Sequence, residues 1–140
     1  MFVRELMTRH AATVGADETL EAAARKMKEL GVGALPVLDR GQLAGILTDR
    51  DLAVRAVASG ADPTRAHVRD AMTAQVIACR EEDEVEDAAR AMEERAVRRI
   101  MVLNREGDLS GMLSVEDLVG ASIALAADVL RHAREPDLPV

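Results

Sequence analysis

Leu43 to Leu52 read LAGILTDRDL, and Leu109 to Leu118 read LSGMLSVEDL. Each stretch is a short apolar run that passes through a G-x-x-[T/S]-x-x-D pattern into polar sequence. Gly45, Thr48 and Asp51 form the first copy and Gly111, Ser114 and Asp117 the second, at an offset of 117 − 51 = 66. A short apolar run bounded by polar residues predicts a strand. A hydroxyl residue followed three positions later by an acid marks a helix start. Each stretch therefore predicts a strand that runs straight into a helix, and its recurrence makes the chain a duplication.

Working outward, VRELMT at Val3–Thr8 returns as VRDAMT at Val68–Thr73, an offset of 68 − 3 = 65. The one-residue difference lies in the polar turns between, DRGQ against NREGD. At the same offset the apolar face Leu20, Ala23, Ala24 and Met27 matches Val85, Ala88, Ala89 and Met92, spaced as on an amphipathic helix. Gly31 is placed to stop the first of these helices. Short apolar segments precede them, Ala11 to Val14 and Val76 to Cys79. Strand pairs follow at Ala34–Leu38 with Leu43–Leu47 and at Ile100–Leu103 with Leu109–Leu113. The order strand, helix, strand, strand, helix occurs twice, an α+β chain of tandem β-α-β-β-α repeats. The expected boundaries are repeat 1 over 1–59, a linker over 60–67 containing Gly60 and Pro63, repeat 2 over 68–133 and a tail over 134–140. The last helix is expected to run unbroken from about Ser114 to Arg131 and to end before Pro136.

Composition narrows the function. The 140 residues are 49% apolar and 31% charged, which fits a globular protein. One Phe and no Trp or Tyr leave no stacking platform for single-stranded nucleic acid, and a net charge of −7 opposes binding to a phosphate backbone. Residues 1–65 balance 9 basic against 9 acidic side chains, so all the net charge lies in 66–140, with 9 basic and 16 acidic. Six acids crowd into Glu81–Asp87, a helix start with a solvated face that lacks the spacing of a calcium loop. The segment MFVRELMTRH has no signal-peptide core and no apolar run is long enough to span a membrane, so a cytoplasmic protein is expected. One cysteine, Cys79, aligns with Val14 and reads as a core residue. His10, His67 and His132 do not recur between repeats, and no P-loop, dinucleotide-binding or zinc-protease motif is present. No catalytic or metal-binding residues are expected.

The Thr48-x-x-Asp51 and Ser114-x-x-Asp117 motifs have two readings. As caps, the hydroxyl takes an orphan helix N–H while the acid reaches back. As ligand contacts, the helix start favours an anion, and hydroxyl and acid can bond the hydroxyls of a ribose.

The Met-Thr opening, the Leu-Glu-Ala helix, GVGALPVLD and LAGILTDRDL resemble a CBS domain, and AVRRIMVLN with LSGMLSVEDL resembles a second. The resemblance covers Val3–Leu52 and Val68–Leu118. It implies a CBS pair, or Bateman module, whose repeats pack about a pseudo-two-fold axis and bind adenosine-containing ligands in the clefts between them. Carried over residue by residue, one expected site joins Thr48 and Asp51 to Met72, Ile77, Val97, Arg98 and Arg99. The other joins Ser114 and Asp117 to Met7, Ala12, Val32, Gly33 and Ala34. Arg98-Arg99 gives the first site a cation pair for the phosphate of AMP, ADP or ATP, each charge-assisted contact worth roughly 1.5–3 kcal/mol. The second suits a less charged ligand, such as an adenosine or S-adenosyl compound, or stays empty. Met101, where the first copy has Pro36, departs from the family pattern and implies a more adaptable strand edge.

The expected function is a non-catalytic regulatory module that needs no cofactor, senses adenine nucleotides, and signals to a separate effector protein or through its oligomeric state. The alternative is an interaction module whose clefts are vestigial. Two apolar rows on the last helix, Leu118, Ser122, Leu125, Val129 and Val119, Ile123, Ala126, Leu130, are wider than one small sheet buries. With a light, alanine-rich core they favour a homodimer, as CBS pairs often stack into a disc of four repeats.

Overall fold

The computed structural model describes residues 1–133; the expected tail 134–140, with Pro136, lies outside the described residues. In chain order the elements are α1 (Val3–Leu6), β1 (Thr8–Arg9), β2 (Val14–Gly15), α2 (Leu20–Leu30), β3 (Ala34–Asp39), β4 (Gln42–Thr48) and α3 (Asp49–Asp51). A wider π-helical segment, Leu52–Val57, continues α3. There follow α4 (Val68–Ala71), β5 (Ala78–Arg80), α5 (Val85–Arg95), β6 (Arg99–Leu103), β7 (Leu109–Ser114), α6 (Val115–Val119) and α7 (Ile123–His132).

The chain forms two compact units, and they are not cut where the sequence repeats are cut. One unit is 11–76; the other joins 1–10 to the chain from Ile77 onward. Hydrogen bonds show the exchange directly. Leu20 N–H donates to Ala66 O and Val68 N–H to Glu18 O; at matching positions Val85 N–H donates to Met1 O and Val3 N–H to Asp83 O. The opening segment of each sequence repeat is thus built into the unit that holds the helix of the other. The stretch read as a linker is bonded into the first unit, where Glu21 N–H donates to Pro63 O.

In unit 11–76 the sheet order is β2-β3-β4, with β2 parallel and β4 antiparallel to β3. The side chain of Thr19 accepts from Ala22 N–H at the start of α2, and Gly31 ends it in the left-handed conformation at φ 66° that glycine adopts without strain. Leu20, Ala23 and Met27 of α2 pack with Leu35, Val37 and Leu47 of the sheet, and Val68 and Ala71 of α4 complete the core.

The other unit repeats the plan with the sheet order β1-β7-β6-β5. Val85, Ala88, Ala89 and Met92 of α5 pack on Ile100, Val102 and Leu113, joined by Val3 and Met7. Val3 and Val68 are both fully buried. Burying a valine side chain of this kind contributes about 1.5–3 kcal/mol. Cys79 pairs in register with Val102 as Val14 does with Val37, so it is a core residue on a strand.

Two local expectations are corrected. The last helix is not continuous from Ser114 to Arg131: α6 stops at Gly120, and α7 starts afresh at the Ser122 cap, whose side chain accepts from Leu125 N–H. Glycine weakens the helix, and the serine hydroxyl is more useful as a cap than within an apolar row. Nor does Met101 loosen its strand. Its N–H donates to Ile77 O at 2.9 Å, a bond Pro36 has no hydrogen to make. The β5 pairing consequently runs from Ala78 to Arg80, one residue longer than that of β2.

Both units contain a bulge one position before the repeated glycine, between Val37 and Leu38 opposite β4 and between Val102 and Leu103 opposite β7. Just past it the exchanged segment crosses the strand. Thr73 bridges to Ile46, and Thr8 pairs with Met112. A Cβ on Gly45 would lie 2.5 Å from Thr73 O, and one on Gly111 2.5 Å from Thr8 O. Backbone cannot yield as a flexible side chain does. Gly45→Ala and Gly111→Ala are each expected to cost about 1–3 kcal/mol, as overpacking does, read as a lower urea midpoint.

Burial pushes the Cys79 thiol up to about 12, with the Asp83 carboxylate adding to the effect. In the unfolded chain the thiol ionises near its ordinary value of about 8.5. The folded protein therefore holds this proton over a pH range in which the unfolded chain has lost it. The contribution is complete below about pH 8.5 and is lost as pH rises towards about 12. Native protein is expected not to react with a thiol reagent at pH 8, and to react once unfolded in urea.

Candidate functional site

The repeated motif stands at a strand end in each unit. Thr48, the last residue of β4, is extended (φ −112°, ψ 162°), and the chain turns helical directly after it. Asp51 N–H donates to Thr48 Oγ1 at 3.1 Å, and Thr48 N–H donates to Asp51 Oδ2 at 3.0 Å. Each residue satisfies the other's backbone, so the capping reading of the sequence is realised here. Asp51 is only 8% exposed, the one buried charged residue among the described residues. Its second oxygen, Oδ1, faces the Thr73 hydroxyl at 3.4 Å and Arg55 Nε at 3.8 Å.

The strand beside the motif completes this corner. Ala34 lies opposite Thr48, and Asp49 N–H donates to Gly33 O at 2.9 Å. A Cβ on Gly33 would come within 3.0 Å of Asp49 Oδ2, so the glycine makes room for that carboxylate. Met72 arrives on the exchanged segment, its sulfur 3.2 Å from where a Cβ on Gly45 would stand. Val32 is exposed, and Ala12 packs at the edge of the core.

In the other unit Ser114 N–H donates to Asp117 Oδ2 at 2.9 Å, the Ser114 hydroxyl donates to the same oxygen at 3.1 Å, and Asp117 N–H donates to Ser114 Oγ at 3.3 Å. Arg99 lies opposite Ser114 across the sheet, and Val115 N–H donates to Arg98 O at 3.0 Å. Arg98 is exposed and Arg99 half-buried. Met7 reaches Gly111 as Met72 reaches Gly45. Ile77 and Val97 pack at the edge of this core.

Within each unit, therefore, a motif is grouped with the strand start of its own repeat and the Met-Thr segment of the other. Thr48, Asp51 and Met72 share a unit with Ala12, Val32, Gly33 and Ala34. Ser114, Asp117 and Met7 share one with Ile77, Val97, Arg98 and Arg99. Sequence reasoning placed Gly45 and Gly111 in the motif without giving them a role, and it missed Thr73 and Arg55 as contacts of Asp51. The glycines carried a signal, since both copies keep one three positions before the hydroxyl. Arg55 carried none, because Ala121 stands at its equivalent (55 + 66).

Other chemistry finds little support. No group of three or more His, Cys, Asp or Glu side chains is placed to hold a metal ion among the described residues. The acidic run is a helix start, with Glu86 and Asp87 in the first turn of α5. Two of its acids pair outward, Glu82 with Arg105 at 3.0 Å and Glu84 with the N-terminal ammonium at 3.3 Å. No helix among the described residues is long and apolar enough to cross a membrane.

Comparison with known proteins fits this geometry. The CBS domain model matches residues 3–57 and 68–124. The CBS domain-containing protein YhcV of Bacillus subtilis is 35% identical over 116 residues, which cover 83% of this chain and 81% of that protein. A conserved CBS domain protein of Thermoplasma acidophilum superposes with a TM-score of 0.84 at 25% identity, over 94% of this chain and 75% of its own. CBSX2, solved in complex with AMP, superposes with a TM-score of 0.73 at 28% identity, over 89% of this chain and 97% of its own. Two family matches, in the order and at the spacing of the internal repeat, place this chain in the CBS domain family as a tandem pair.

Proposed function

We propose that the protein is a non-catalytic regulatory module that senses adenine nucleotides or S-adenosyl compounds through its Thr48–Asp51 and Ser114–Asp117 motifs. Binding is signalled as a change of conformation or of oligomeric state to a separate effector. The observation that carries this reading is the buried Asp51 carboxylate at the strand end, in a family with a relative that holds AMP. A carboxylate accepts hydrogen bonds at about four lone-pair positions. The cap and the Thr73 hydroxyl use two at Asp51, which leaves room for ribose hydroxyls. Met72, Ala34 and Val32 offer aliphatic surface to a base, as Met7, Ile77 and Val97 do in the other unit. Arg98 and Arg99 supply forked donors suited to phosphate.

The alternative is an interaction module in which both motifs are caps alone, a reading favoured by how fully hydroxyl and acid serve the helix starts. Isothermal titration separates the two. AMP, ATP or S-adenosylmethionine is expected to give binding heat, and Asp51→Ala, which removes the better buried acid, to weaken binding more than Asp117→Ala. The alternative requires no heat from any of the three in folded protein, with each substitution costing about 0.5–2 kcal/mol of stability as a lost cap does.

We also assign the protein a homodimeric state. The α6–α7 region buries Leu118, Ala126 and Val129 but leaves Val119, Ile123 and Leu130 exposed, Ile123 by 75%. Light scattering is expected to report a dimer for the wild type and a monomer for Ile123→Glu; a monomeric wild type removes the assignment.

A further inference from the structure

The contacts of Asp51 run beyond the cap. Arg55, whose Nε lies 3.8 Å from Asp51 Oδ1, also donates from Nη1 to the Met72 carbonyl at 3.1 Å. One guanidinium thus spans from the buried acid of the motif to the backbone of the exchanged segment. That segment is otherwise fastened to β4 by two reciprocal bonds, Ile46 N–H to Thr73 O at 3.0 Å and Thr73 N–H to Ile46 O at 2.9 Å. The twin crossing of Thr8 and Met112 has Ala121 at the equivalent position, so it is made without this guanidinium.

The grip is open to competition. The Arg55 side chain is 53% exposed, its ion pair with Asp51 is long, and its other partner is a neutral carbonyl. Phosphate offers the same guanidinium paired, charged acceptors, and such bonds are roughly twice as strong as neutral ones. A nucleoside has no anionic group, so it offers the guanidinium nothing stronger than the neutral carbonyl it already holds.

We propose that Arg55 is a positioning residue that ties Asp51 to the Met72–Thr73 segment, and that the phosphate of a bound nucleotide draws the guanidinium off Met72 and loosens that segment. This rests on the adenine-nucleotide reading above and adds the means by which the Thr48–Asp51 motif distinguishes a nucleotide from a nucleoside.

Amide hydrogen exchange on the full chain tests it, with wild type, Arg55→Gln and Arg55→Lys measured alone and with AMP or adenosine. Without ligand, Arg55→Gln is expected to speed exchange at Thr73 and Ile46 about tenfold, the loss of one hydrogen bond from a charged donor. Arg55→Lys, which keeps a charged donor, restores part of the protection. The amides of Thr8 and Met112 stay at their wild-type rates in both variants, which separates a local release from general destabilisation. In wild type, AMP reproduces the Arg55→Gln pattern and adenosine does not. Equal Thr73 exchange in ligand-free wild type and Arg55→Gln overturns the tie, and AMP binding with Thr73 still protected overturns the release. If titration shows that wild type binds neither ligand, the nucleotide reading fails and the release with it. The ligand-free comparison then still decides the tie.

Discussion

The structure depends on two backbone carbonyls passing over two glycines. Thr73 O lies where a side chain on Gly45 would begin, and Thr8 O does the same over Gly111. Only at that separation can the Met-Thr segment cross flat against its strand and exchange hydrogen bonds with it. From the crossing follow the burial of Val68 and Ala71 in one core and of Val3 and Met7 in the other. The Thr73 hydroxyl is brought beside Asp51, and the Met72 carbonyl within reach of Arg55. A bulge just before each glycine sharpens the bend that makes the approach possible. The glycine of the repeated motif is thus required by packing, whatever the motif binds.

This also explains how far the sequence could be read. The long helices α2 and α5 and the strand pairs were legible because their apolar periodicity is strong and occurs twice. The destination of the opening segments was not. VRELMT and VRDAMT present the same valine, acid, methionine and threonine at the same positions, so either segment fits either core. Chain pattern cannot distinguish two partners with the same chemistry; the backbone bonds of residues 66–69 and 1–4 decide it. The break between α6 and α7 escaped for another reason. Ser122 sits at the spacing of an apolar row, and a serine that caps has the same letter as one that fills a gap. For the site, the residue types were legible because a hydroxyl and an acid three apart have a chemistry of their own. Arg55 was not, since it acts on a backbone carbonyl 17 residues away, a contact without sequence signature.

Cap and ligand site need not compete. A buried carboxylate without partners is costly, and the Thr48 N–H and Thr73 hydroxyl meet that need before any ligand arrives. The acid is thereby fixed in position, which removes the ordering cost a ligand would otherwise face. Asp117 is held differently, with one oxygen taking both the N–H and the hydroxyl of Ser114. Two motifs that are near-identical as text therefore present their carboxylates in different states of engagement.

Three further differences between the repeats lie beside the motifs or the strands that carry them. Around Thr48 the strand start is Gly33-Ala34, and the guanidinium comes from the helical side, on Arg55. Around Ser114 the strand start is Arg98-Arg99 and the helical side has Ala121. Pro36 shortens the strand pairing of one unit where Met101 extends that of the other. Each substitution leaves its core intact, since both cores bury the same kinds of side chain at matched positions. The first two move the arginine side chains beside the motif from the helical side in one unit to the strand start in the other, and the third changes only the length of a strand pairing.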